Sequence, residues 1–344
     1  MDGGSIGAPP KLQPLIEWAD HQVVAVFARV PWVKHGALRT VCRRFKTLLS
    51  SPAFREERSE SGWAESGVVV AGGSRGGHGD TAACWLLAGG RWRPIASMSG
   101  PRSSASSAVL DGSLWVCGGM GGPDAAWDDG ATATVECYSA QTRAWRSCAP
   151  LNLARGDPVC GVVGGSLVVA GGMGTDGRLT SVEAYSAATG GWAPLPSMPH
   201  DAYQAASCVL DGRLYVVGGM NSRRVQCWDG ERWTVRAELP AERCFAACGA
   251  SGGKMVLIGG MVKFRSSASV LLYDPLADAW ADGPSLPAPC TFCRAVEHAG
   301  GIIVVSASPP LRFQDGEWSE ILDIAGGPVI LTPGSFSAGS VCVY

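Results

Sequence analysis

Arg102, Arg155 and Arg243 each stand ten residues after a tryptophan, and the same position after three further tryptophans holds Ala202, Cys290 and Pro328. A guanidinium presents a planar fork that pairs two oxygens at once, so a ring of such groups would favour a carboxylate or a phosphate. His200, Tyr203, Arg223 and Arg224 fall beside that ring and complete a candidate substrate-binding set for an acidic or phosphorylated peptide. Alternatively, each arginine folds back onto backbone carbonyls where its strand begins, and the sequence leaves both readings open. Catalytic patterns fare worse. Gly72-Gly73-Ser74-Arg75-Gly76 has the spacing of a nucleophile elbow, but it leaves a strand instead of opening a helix. Cys290 and Cys293 have redox or zinc spacing, with no second cysteine pair and no His-x-His to join them; they are expected to pack in the core, on an inner strand. The five histidines, at 21, 35, 78, 200 and 298, are not spaced as metal pairs. The chain is therefore expected to be non-catalytic, with no metal and no cofactor.

The elements that would position these side chains repeat. From Trp92, Trp145, Trp192 and Trp233 the residue 26 places on opens a Gly-Gly pair, at Gly118, Gly171, Gly218 and Gly259; from Trp280 it is Ser306. A constant distance means a constant piece of structure. Within it, a small apolar run, a turn and a second apolar run form a hairpin, as in Ser104 to Gly119 around Asp111-Gly112. Gly164-Gly165, Asp211-Gly212, Gly252-Gly253 and Gly300-Gly301 supply the same turn in the other units. A third strand ends in Tyr138, Tyr185 or Tyr273, with six residues between it and the tryptophan that begins a fourth; Trp85 is expected to replace the tyrosine before Trp92. Units four and six are shortened, from Trp228 to Trp233 and from Phe313 to Trp318. The variable length falls between second and third strands, where binding loops on a rigid scaffold are placed.

Six such units are counted, and the first lacks an inner strand, because Gly67 to Ala71 already reads as a second strand. The missing strand is expected from Pro328 to Ser337, which would close the ring and leave Ser340 to Tyr344 without a place.

Composition sets the limits. With 46% hydrophobic and 17% charged residues, 344 residues make a globular chain with ample core, and 47 Gly with 13 Trp suit an array of turns and packed aromatics. A net charge of -2 asks for neither nucleic acid nor membrane. Thirteen cysteines scattered through apolar runs suggest reduced thiols in the cytoplasm or nucleus. Residues 1–60 hold nine basic and six acidic groups, against 19 and 24 in the remainder, so two parts of different character are expected.

The first part changes period. After a disordered start over residues 1–11, helices are expected from Asp20 to Arg29 and from His35 to Leu49, separated by Pro31, with a third short helix from Ala53 to Ser59. Val24, Phe27 and Val30 share one face, while Leu38, Val41, Phe45 and Leu48 share another. About 45 residues bury two such stripes poorly, so an apolar face is expected to dock on a partner.

Two resemblances follow from these residues. The Gly-Gly, Tyr, six residues, Trp pattern over Gly67 to about Val329 resembles the kelch repeat, which implies a mostly β fold: a six-bladed β-propeller over residues 61–344. Ala28-Arg29-Val30-Pro31, Leu38 to Phe45 and Leu48 to Phe54 resemble the F-box, which implies a small α-helical F-box over residues 12–60 with Trp18-Ala19 where the family has Leu-Pro. That resemblance implies docking on a Skp-type adaptor, and through it a cullin, by Val24, Phe27, Val30, Pro31, Leu38, Val41, Cys42, Phe45 and Leu48. The pairing implies a substrate receptor of a ubiquitin ligase; a kelch scaffold acting outside ubiquitination is the alternative.

Overall fold

The computed structural model describes residues 19–30, 32–49, 51, 53–54, 57, 67–74, 80–88, 91–121, 130–140, 142–298, 300–305, 310–321 and 338–343. The chain divides into two compact units, Met1–Glu65 and Ser66–Tyr344, five residues beyond the boundary expected from sequence.

The second unit is a six-bladed propeller. Each blade is a four-stranded antiparallel sheet, and five of them take their strands in chain order, as in Ser106–Leu110, Ser113–Cys117, Val135–Ser139 and Ala144–Ser147 of blade two. Its first hairpin turns on Asp111 and Gly112, with φ of 49° and 63°. Both central residues of a type I′ turn need positive φ, which is why Asp-Gly and Gly-Gly recur there. The inner strands of blades two to six are Ser106–Leu110, Val159–Val163, Ala206–Leu210, Ala247–Ser251 and Arg294–His298, each beside the next.

The inner strand of blade one is Ala338–Val343, paired antiparallel with Val68–Gly73 in the register Val68↔Val343 to Gly73↔Ala338. The closing strand thus comes from the end of the chain as expected, but from later residues. Ser340 to Val343, for which the sequence offered no place, belong to that strand, and the expected segment Pro328 to Ser337 lies outside the described residues. Blade one also departs in its outer hairpin. Trp92 pairs with Leu87, and Trp85 pairs with Pro94. Trp85 is therefore two residues from the slot that Tyr138, Tyr185 and Tyr273 fill opposite Trp145, Trp192 and Trp280. The hairpin is short, as in blades four and six, where Trp228 faces Trp233 and Phe313 faces Trp318. Ser306-Ala307 lies outside the described residues.

The tryptophans join neighbouring blades. Trp145 donates its indole N–H to the Ala96 carbonyl (2.7 Å), Trp192 to Ala149 (2.9 Å), Trp233 to Pro196 (3.0 Å), Trp280 to Ala237 (2.9 Å) and Trp318 to Pro284 (2.7 Å). Every acceptor is the fourth residue after the preceding tryptophan, so each indole fastens its blade to the one before. Trp192→Phe is expected to remove that bond alone, costing about 1 kcal/mol. Trp192→Ala also removes the contact with Tyr185 and is expected to cost about 2–3 kcal/mol, below the ~3–5 kcal/mol of a fully buried aromatic because Trp192 is half-buried. Urea unfolding of both variants measures the difference.

The first unit contains α1 (Asp20–Ala28), α2 (Trp32–Val41) and α3 (Arg43–Leu48). Gln22 caps α1, its side-chain oxygen accepting the Ala19 N–H at 3.0 Å. The single helix expected from His35 to Leu49 is broken at Cys42, which is extended (φ -159°) and whose sulfur accepts the Phe45 N–H that opens α3. That break lets the unit bury its own stripes. Val23, Val24, Phe27, Ala28, Phe45, Leu48, Leu49 and Phe54 form one core, against which Leu38 and Cys42 pack. The expectation of a largely unfilled apolar face is corrected accordingly. Of the residues assigned to adaptor docking, Val24, Phe27, Phe45 and Leu48 face inward, Val30 is half-buried and Val41 is 63% exposed. Pro31 and most of the short helix expected over 53–59 lie outside the described residues.

Candidate functional site

The three arginines of the series point into the blades. The Arg102 guanidinium donates to the Gly118 and Thr134 carbonyls and to the Glu136 carboxylate (3.3, 2.9 and 3.0 Å). Arg155 repeats this with Gly171, Ser181 and Glu183 (2.9, 2.9 and 3.0 Å), and Arg243 with Gly259 and Ser269 (2.9 and 3.0 Å). They are 1%, 1% and 6% exposed. The sequence expectation that they ring the channel mouth and hold an acidic ligand is therefore corrected. The Gly-Gly pair kinks the second strand, its first glycine at φ near 61°, and turns carbonyls inward that no strand can satisfy; the guanidinium fork satisfies them.

Burial pulls the Arg102 and Arg155 guanidinium groups below their ordinary pKa, and Glu136 and Glu183 oppose that pull. The second oxygen of each carboxylate accepts a backbone N–H, from Ser99 and Asn152 respectively. Blade four has Ala202 in place of the arginine and Gln226 in place of the glutamate, so no buried charge is left alone. Four of these positions share a backbone bond: the Arg155, Ala202, Arg243 and Cys290 carbonyls each accept the N–H of the second glycine in the preceding blade, at 2.7–2.8 Å.

His200, Tyr203, Arg223 and Arg224 remain at the surface. Arg224 donates to His200 Nε2 at 3.0 Å, which leaves the ring proton on Nδ1 because a guanidinium cannot accept. Arg223 donates to the Leu239 carbonyl and lies 3.8 Å from Glu238. Tyr203 sits under the Arg178 guanidinium, 5.9 Å from its ring centroid, and burial pushes its phenol pKa upward.

The channel mouth itself is built two residues further on. Ser104, Asp157, Gln204, Phe245 and Phe292 occupy equivalent positions of blades two to six, all with φ between 46° and 57°. Non-glycine residues rarely adopt this left-handed conformation. Here a belt of backbone bonds holds it: Asp157 donates to the Ser104 carbonyl, Phe245 to Gln204 and Phe292 to Phe245, at 3.0–3.1 Å. Phe245 and Phe292 stack at 4.0 Å. Arg294, the first residue of blade six's inner strand, reaches across the channel to within 3.9 Å of the Asp157 carboxylate in blade three. Together with Ser106 they line a cavity of about 110 Å³. Sequence reasoning missed this belt because its five residues are of four types, and only their shared backbone conformation unites them. It also missed Phe264, 80% exposed at the tip of a hairpin whose turn residues, Lys263 and Phe264, both have positive φ.

Cys290 and Cys293 precede the inner strand instead of lying on it; Cys293 is fully buried beside Cys290 and both belong to the core between blades five and six. The glycine-serine motif runs out of a strand at Gly73, and Arg75-Gly76 lies outside the described residues. Among the described residues no three His, Cys, Asp or Glu side chains converge as a metal site.

A family profile described as "Kelch motif" matches residues 101–152, 154–199, 202–240 and 242–287, more than half of the chain. Kelch-like protein 35 of Mus musculus is 28% identical over 80% of this chain and 38% of its own length. An F-box/kelch-repeat protein of Arabidopsis thaliana is 28% identical over 43% of this chain and 39% of its own length. The chain thus spans well under two-thirds of either relative. A solved structure described as "Structure of YjhT" superposes with a TM-score of 0.62 at 15% identity, covering 73% of this chain and 96% of that one, a likeness of fold.

Proposed function

Since this chain belongs to the kelch-repeat family, we propose that it is a non-catalytic substrate receptor of a Skp/cullin/F-box ubiquitin ligase, its helical unit acting as the F-box and its propeller holding a target protein. The observation that carries this reading is the order of two self-contained units: helices with their own core, then a six-bladed propeller. Relatives named as F-box/kelch-repeat proteins support it. On this reading the chain works in the cytoplasm or nucleus, and Val41, the most exposed described residue of the adaptor-docking set, faces the adaptor. His200, Tyr203, Arg223 and Arg224, with Phe264, contact the target.

One observation favours a kelch scaffold outside ubiquitination: the inward orientation of Val24, Phe27, Phe45 and Leu48 leaves little exposed apolar surface on the helices. A single experiment separates the two. Full-length protein is expected to co-purify a Skp-type adaptor, residues 66–344 alone are not, and Val41→Asp is expected to reduce recovery with unchanged thermal unfolding. Equal recovery with all three would end the ligase reading.

A further inference from the structure

The cavity at the channel mouth has acceptors in want of donors. Two buried polar atoms on its wall, Ser106 Oγ and Gln204 Oε1, have no hydrogen-bond partner among the described residues. Buried polar atoms are almost always paired, so each needs a water or a ligand. Asp157 adds a carboxylate beside them. Its closest cation is the Arg294 guanidinium at 3.9 Å, beyond hydrogen-bonding distance, and burial raises its carboxyl pKa. Ser104 helps hold it. Asp157 and Gln204 are neighbours in the left-handed belt, and Phe245, the next residue of that belt, lines the same wall. Since Arg102, Arg155 and Arg243 are spent inside the blades, Arg294 is the one cationic side chain among the described residues of this wall.

We propose that this cavity receives a Lys or Arg side chain from the bound protein, its N–H donors shared between the Asp157 carboxylate and Gln204 Oε1 and its stem against Phe245. The proposal rests on the propeller face being the target-binding face. A volume of about 110 Å³ admits an ammonium group with its last methylenes. Arg294 is a competitor: it extends from the opposite blade and also donates to the Cys293 carbonyl, which keeps it from closing on Asp157. A compact ammonium entering from solvent has no such tether.

The test uses the full chain with n-butylammonium chloride as a mimic of the lysine tip, against sodium chloride and sodium butyrate at equal ionic strength. Butylammonium is expected to raise the thermal midpoint above sodium chloride and butyrate is not, because a ligand that binds the folded state alone stabilises it. Asp157→Asn, in which asparagine tolerates the left-handed backbone, is expected to weaken butylammonium about tenfold or more, the worth of one charge-assisted hydrogen bond. Arg294→Gln is expected to tighten it by removing the competitor. Should Asp157→Asn fail to fold, Gln204→Leu is expected to weaken binding in its place. The proposal is overturned if butyrate stabilises more than butylammonium, if butylammonium equals sodium chloride so that water alone fills the cavity, or if Asp157→Asn or Gln204→Leu binds like the parent. Adaptor recovery reads the other unit, so a protein that takes butylammonium and captures no adaptor keeps this inference and loses the ligase reading.

Discussion

Replacing Arg155 by alanine is expected to destabilise the propeller by about 3–5 kcal/mol, the cost of breaking a buried ion pair by removing one partner. Glu183 would remain almost fully buried with one oxygen on the Asn152 N–H and nothing opposite the other. The Gly171 and Ser181 carbonyls would lose their donor as well. The double variant Arg155→Ala, Glu183→Gln is expected to recover part of the loss, because it recreates the uncharged pair that blade four has in Ala202 and Gln226. Urea unfolding of parent, single and double variants measures both. If Arg155→Ala unfolded like the parent, the side chain would be a surface group and the ligand ring would return.

Gly118→Ala is expected to cost about 3 kcal/mol by the same measurement, from two sources. An L-residue at φ +61° pays about 1–2 kcal/mol for the left-handed backbone. In addition, a Cβ built there would stand 2.7 Å from the Arg155 carbonyl oxygen, which is backbone and cannot swing away. That oxygen is the acceptor for the Gly119 N–H, so relieving the clash would pull apart the junction between blades two and three. Gly112→Ala, in the exposed turn with φ of 63° and open space around it, carries the first cost only, so the difference between the two variants isolates the clash.

What could be read along the chain was whatever depends on short range. The Asp-Gly and Gly-Gly turns demand positive φ and so announce the hairpins. The constant stretch from tryptophan to Gly-Gly announced a rigid unit because it spans an outer strand, a connection and the next blade's first hairpin, whose lengths repeat. A ring closed by the end of the chain followed from counting strands, although an insertion shifted that strand beyond the residues the offset suggested.

Tertiary structure decided the rest. An arginine at a strand start can face the channel or turn under the sheet, and no neighbour in sequence chooses; the inward carbonyls at the glycine kink, 16 and 26 residues away, make the choice. The channel belt needs neighbouring blades to lend each other backbone carbonyls, so Ser104, Asp157, Gln204, Phe245 and Phe292 show no shared signature until the ring is closed. The two helical stripes looked too large to bury because a cysteine cap inside a helical pattern is invisible to periodicity, yet past that break Phe45 packs on Phe27, ring centroids 4.7 Å apart. Local backbone chemistry wrote the scaffold into the sequence, whereas the direction of each functional side chain was set by partners that only the closed fold brings near.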